Sequence, residues 1–132
     1  MTDRLIYLPL GGAGEIGMNA YVYGYGAPGK ERLIVVDLGV TFPDMDTTPG
    51  VDLILPDISW LESRKAQIDG IFITHAHEDH VGAIGHYWRR LGAPVYARPF
   101  TANIARRKLD EHGHPESVVK VVGVYPEKIH CG

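Results

Sequence analysis

Asp69-Gly-Ile-Phe-Ile-Thr-His-Ala-His-Glu-Asp-His-Val-Gly82 is the stretch on which the reading of this chain turns. A short apolar run, Ile71-Phe72-Ile73, leads into His75, His77, Asp79 and His80. The apolar run reads as a buried strand. The polar cluster then falls in the turn at its end, where α/β proteins tend to place ligand sites. His75 and His77 are two apart, so one extended segment brings both to the same point. Asp79 and His80 follow as the chain turns toward a helix, whose N-terminus favours a carboxylate or a phosphate. The donors are nitrogen with one hard oxygen and no thiolate. That set suits Zn²⁺, Mn²⁺ or Fe²⁺ and argues against a structural Cys-rich zinc. The plain alternative is a polar loop whose histidines share no task. Ligand-type side chains this dense behind a strand favour the metal reading.

Upstream, Leu5-Ile6-Tyr7-Leu8-Pro9-Leu10 reads as a first strand. Gly12-x-Gly14-x-x-Gly17 then matches the dinucleotide-binding fingerprint, and Asp37 stands where that fold places its ribose-binding acid. The fingerprint requires a helix after the glycines. Here Asn19-Ala20-Tyr21-Val22-Tyr23-Gly24-Tyr25-Gly26 follows, with tyrosine at alternate positions, then Pro28 and Gly29. That is a strand and a turn, so no dinucleotide is expected. The glycines serve either a close approach of the loop to the metal pocket or a plain hairpin turn. Arg32-Leu33-Ile34-Val35-Val36-Asp37 is the next strand, ending in an acid.

Residues 41–57 form an acidic, proline-bearing loop. Asp44-x-Asp46 suggests calcium, but an EF-hand needs Gly and Glu where Pro49 and Leu55 stand. Ile58–Ala66 is expected as a short helix capped by Asp57, with Trp60 and Leu61 inward. Val81–Leu91 is expected as a helix closed by Gly92, Pro94–Ala97 as a short strand, and Pro99–His112 as a helix ended by Gly113. The run Arg106-Arg107-Lys108 on that last helix is either an RNA contact or a solvated face. Val118–Tyr125 reads as a final strand. His112, His114 and His130 lack ligand spacing. Strands with helices between the later ones predict mixed α/β layers.

The chain has 132 residues, enough for one domain with one modest core. With 45% hydrophobic and 22% charged residues it has an ordinary globular composition. A net charge of −3 means that any grip on nucleic acid is local. The single cysteine, Cys131, excludes an internal disulfide framework and fits a reducing cytosol. No apolar run is long enough to span a membrane and no signal-peptide pattern opens the chain. A cytoplasmic protein is expected.

His75-Ala-His77-Glu-Asp79-His80, followed by Val81-Gly82, resembles the signature of the metallo-β-lactamase superfamily. Gly11-Gly-Ala-Gly-Glu-Ile-Gly-Met-Asn19, with Phe42-Pro43 and Gly50-Val-Asp-Leu-Ile-Leu-Pro-Asp57, is similar to the ribonuclease J group of its β-CASP branch. The resemblance runs from about residue 5 to residue 113. It implies an αββα sandwich with two divalent metals at one edge, most often zinc with manganese as the substitute. His75 and His77 would hold one metal, Asp79 and His80 the other, and Asp79 would also orient the attacking water. Asp37 would support the metal loop through hydrogen bonds rather than bind metal. The implied partner is an RNA substrate cut by phosphodiester hydrolysis, exo or endo, and the complete protein would be a homo-oligomer. The resemblance also allows backbone carbonyls of Pro49 and Val51, in the 44–52 loop, to hold a structural Ca²⁺, against the favoured reading of a solvated loop bordering the pocket. A later His, a bridging Asp and the β-CASP domain do not occur in these residues. Residues 1–132 are therefore expected to be the N-terminal part of a truncated metallo-β-lactamase domain. Such a piece alone would be inactive. Another hydrolase of the same fold, acting on a thioester or lactam, and a non-catalytic truncated domain are the alternatives. The 11–19 and 42–57 motifs tell against the former.

Overall fold

A computed structural model describes residues 2–14, 17–43, 53–124 and 127–130, together with Gly50. Strands β1 (Arg4–Gly11), β2 (Ala20–Gly26), β3 (Arg32–Val36), β4 (Ile68–Phe72), β5 (Val95–Ala97) and β6 (Val119–Val121) form one sheet in sequence order. The first three are antiparallel, because short Gly-rich connections reverse the chain between them. From β3 onward neighbours run parallel. Parallel pairing demands a crossover, and the helices supply it: α1 (Ser59–Glu62), α2 (Glu78–Val81), α3 (Ile84–Leu91) and α4 (Pro99–Glu111).

Register and alternation sort the side chains onto two faces. Val22, Val35, Ile71, Val95 and Val119 stand opposite one another across the sheet and are buried. Leu61, Ile84, Ala102, Ala105 and Leu109 close over them from the helices. Each large aliphatic side chain so buried contributes roughly 1.5–3 kcal/mol. The opposite face carries Pro9, Tyr21, Val36, Phe72 and Tyr96 in one register row. Leu5, Tyr7, Tyr23 and Tyr25 stand beside it, each between 41% and 78% exposed. A sheet face this apolar is normally covered by another layer. Residues 1–132 on their own are therefore expected to self-associate. Sedimentation velocity should give species larger than a monomer, and a Leu5→Lys/Tyr25→Lys double variant should shift them toward monomer. A monodisperse wild-type monomer would contradict this.

Several elements differ from the sequence expectations. The helix expected over 58–66 is a single turn, Ser59–Glu62, followed by a 3₁₀ turn at Lys65–Gln67. Asp57 sits just outside it, where Oδ1 accepts from the Ser59 N–H at 2.9 Å and its hydroxyl at 2.6 Å. Leu61 is buried as expected, while Trp60 is half-buried under the Arg64 guanidinium, 4.1 Å from the ring centroid. The helix expected over 81–91 begins at Ile84 and is separated from the α2 turn. Competition for hydrogen bonds explains the break. The Ala83 N–H donates to the Leu38 carbonyl, and the Asp79 and His80 carbonyls accept from Asn19 and Leu38 instead of from the next turn. Trp88 anchors the other end through its indole N–H to the Ala93 carbonyl, 2.8 Å. The last strand covers only Val119–Val121: the Val122 N–H still donates to the Ala97 carbonyl at 2.8 Å, and the chain then turns away, while Tyr125 lies outside the described residues. So do Pro49 and Val51, on which the calcium expectation rests. No helix follows the glycines of the 12–17 fingerprint: among the described residues the chain passes by a turn into β2. None of the described helices is long and apolar enough to cross a membrane.

Candidate metal centre

The end of β4 delivers Thr74 and His75, and α2 delivers Asp79 and His80. His75, Asp79 and His80 each offer one ligand atom, and these atoms lie within 4.8 Å of one another. The His75 and His80 rings are 3.8 Å apart, centroid to centroid. His77 is the N-cap residue of α2, exposed, and outside that three-donor group. Its ring lies edge-on to His75 at 4.9 Å, and its carbonyl accepts from the N–H groups of His80 and Val81. Nitrogen and carboxylate donors without thiolate fit a divalent ion of the zinc and manganese kind.

Asp37 lies behind this cluster and is 3% exposed. One carboxylate oxygen accepts from the Thr74 backbone N–H at 2.7 Å, and both oxygens lie within 3.0 Å of the Thr74 hydroxyl. The other oxygen is 2.7 Å from His80 Nδ1. A proton on Nδ1 donating to Asp37 leaves the His80 Nε2 lone pair for the open side, the usual arrangement behind a metal-binding histidine. Asp37 itself has φ +65°, a left-handed conformation that non-glycine residues adopt at a cost. That backbone kink ends β3 and turns the carboxylate under the 74–80 loop.

The loop is packed to backbone contact. A Cβ on Gly39 would fall 1.9 Å from the Asp79 carbonyl oxygen, so only glycine fits there. Leu38 and Val40 donate to the His80 and Glu78 carbonyls at 2.8 and 3.0 Å. The segment after β3 is thus stitched along α2.

The basic run on α4 is partly engaged. Lys108 pairs with Glu78, and Arg106 reaches the Val119 carbonyl at 3.2 Å. His112 and His114 lie away from the 75–80 cluster. His112 stacks edge-on with His86 at 4.4 Å, and His114 Nε2 lies 2.8 Å from the Gly85 carbonyl oxygen. Burial, then the neighbouring His112 and Lys108, push the His86 imidazole below its ordinary range.

Thr74 and Asn19, whose side chains touch the cluster, were not singled out by sequence reasoning. Thr74 is one polar residue between a strand and a histidine, and Asn19 closes the glycine motif; neither carries a periodic signal.

The family model of the metallo-beta-lactamase superfamily matches residues 13–128. The chain belongs to that superfamily, whose members bind divalent metals. Its relatives narrow the branch. It is 55% identical over 106 residues to "Ribonuclease J" of Sinorhizobium meliloti, covering 80% of this chain and 19% of that protein. It is 44% identical over 105 residues to "Ribonuclease J" of Helicobacter pylori (strain ATCC 700392 / 26695), covering 80% of this chain and 14% of that protein. To "Ribonuclease J2" of Bacillus subtilis it is 35% identical over 113 residues, covering 86% of this chain and 20% of that protein. The chain thus spans a fifth or less of the length of these relatives.

Proposed function

We propose that residues 1–132 are the front part of a metal-dependent ribonuclease that hydrolyses phosphodiester bonds of RNA in the cytoplasm. The observation that carries this is the close grouping of His75, Asp79 and His80 over the buried Asp37. Likeness to proteins called ribonuclease J supplies the substrate class. His75 and His77 would hold one divalent ion, and Asp79 and His80 a second, zinc by preference and manganese in its place. Further ligands come from a longer chain.

When bound, the ions ionise a water near neutral pH and neutralise charge that grows on the phosphoryl oxygens. The protein's own part is placement. Asp37 fixes the His80 tautomer and holds Thr74, so both sides of the loop keep their aim. Asp79 has a carboxylate oxygen on the open side, where it orients the attacking water. Arg and Lys contacts to phosphates position the RNA without reading its sequence. The complete protein is a homo-oligomer in this reading.

The test is a substrate panel on the complete protein. Cleavage of a 5′-monophosphorylated RNA, abolished by a chelator and restored by Zn²⁺ or Mn²⁺, is expected. Turnover of a thioester or lactam without RNA cleavage would assign it to another branch of the fold, and no turnover at all would favour a non-catalytic role. Residues 1–132 alone are expected to cleave no RNA and to hold at most one ion, weakly. They offer two ligands per metal, and catalytic zinc normally keeps three. Two tightly held ions with metal-dependent cleavage by this piece, absent in a His75→Ala control, would contradict that.

A further inference from the structure

We infer that Asn19 is a positioning residue for the Asp79–His80 pair, itself oriented by the hydroxyl of Tyr21; this rests on the metal-centre reading above. Asn19 lies between the glycine motif and β2, sixty residues from the loop it touches. Its backbone N–H and its side-chain Nδ2 both donate to the Asp79 carbonyl at 2.9 Å. Nδ2 also lies 3.4 Å from Asp79 Oδ2 and 3.3 Å from His80 Nε2. The amide therefore faces the very atoms of Asp79 and His80 that point to the open side of the cluster.

The orientation of the amide follows from its other end. The Tyr21 hydroxyl donates to Asn19 Oδ1 at 3.0 Å. A flipped amide would set Oδ1 against the Asp79 carbonyl and carboxylate, lone pair against lone pair, and leave two N–H groups facing Tyr21. Residue 12 must be small for this arrangement. A Cβ on Gly12 would lie 2.4 Å from Asn19 Oδ1 and 2.5 Å from the Tyr21 oxygen. The glycine motif that mimics a dinucleotide fingerprint thus makes room for an asparagine.

Geometry separates steering from gluing. The bond from Nδ2 to the Asp79 carbonyl duplicates one the backbone already makes, so alanine leaves the loop attached. The contacts to Asp79 Oδ2 and His80 Nε2 sit at the long end of hydrogen bonding. They bias both groups toward one point and still yield their lone pairs to a cation. Loss of outer partners of metal ligands typically costs about 10–100-fold in affinity or activity.

The experiment compares Asn19→Ala, Tyr21→Phe and His80→Ala in the complete protein, using Zn²⁺ titrated against a chelator and the visible spectrum of the Co²⁺-loaded protein. Asn19→Ala is expected to weaken the affinity of one zinc equivalent at least about 10-fold. It should shift the Co²⁺ bands and leave the melting temperature near wild type. Tyr21→Phe keeps the amide and every backbone bond, and should move both readouts the same way by less. It carries the test alone if Asn19→Ala does not fold. Wild-type affinity and spectrum in both variants, with zinc lost in His80→Ala, would overturn the positioning role alone. Undiminished zinc in His80→Ala would overturn the metal-centre reading and this inference with it.

Discussion

Alanine at His75 is expected to cost the complete protein more than about 100-fold in RNA hydrolysis, beyond what loss of a partner outside the metal's ligands takes away. The nucleophile depends on the metal, so a lost ligand acts directly on the chemistry. The fold should survive. His75 is exposed, and its side-chain contacts are Thr74 Oγ1 at 3.0 Å and the His77 and His80 rings. An exposed substitution of that kind changes stability by about 0.5 kcal/mol or less. His77→Ala should behave similarly, since His77 shares the ion with His75 in this reading. Single-turnover cleavage, metal content and a thermal melt measured together make the test. Full activity and unchanged metal in His75→Ala would remove the site from this stretch.

Asp37→Ala is expected to damage both fold and activity. The carboxylate is buried and answers the Thr74 N–H, the Thr74 hydroxyl and His80 Nδ1. Thr74 is exposed and can turn to water, so the loss falls mainly on half-buried His80 Nδ1, where a donor left without a partner costs about 1–3 kcal/mol. The left-handed backbone at φ +65° adds about 1–2 kcal/mol once the side chain no longer bonds locally. Asp37→Asn tolerates that backbone and keeps one acceptor. It should fold and still lose about 10–100-fold in activity, because the His80 ring is no longer held by a carboxylate. Urea denaturation beside cleavage rates separates the two variants. Wild-type stability in Asp37→Ala would mean that Thr74 and His80 find other partners.

Those two residues also mark what was legible in the sequence. The apolar run at 71–73 and the alternating tyrosines of 19–26 announce strands, because burial on one or both faces leaves a pattern along the chain. The ligand types of 75–80 are visible because they are dense. The break between α2 and α3 is invisible, because the bonds that cause it come from Asn19 and Leu38, distant in sequence. Gly12 and Gly39 illustrate the same limit. Each is glycine because another segment approaches it, Asn19 and Tyr21 in one case and Asp79 in the other. A single small residue does not say what will press against it. The expectation of a support role for Asp37 came from family resemblance; the carboxylate's contacts with Thr74 and His80 give that expectation a geometry.

The most direct test of the central claim is where the metal sits. Crystals of the complete protein loaded with zinc, measured for anomalous scattering at the zinc edge, locate it without reference to activity. The account predicts one peak about 2.0–2.2 Å from ring nitrogens of His75 and His77, and a second at that distance from a His80 ring nitrogen and the Asp79 carboxylate. Zinc peaks found only elsewhere in a loaded crystal, with these side chains turned toward solvent, would contradict it.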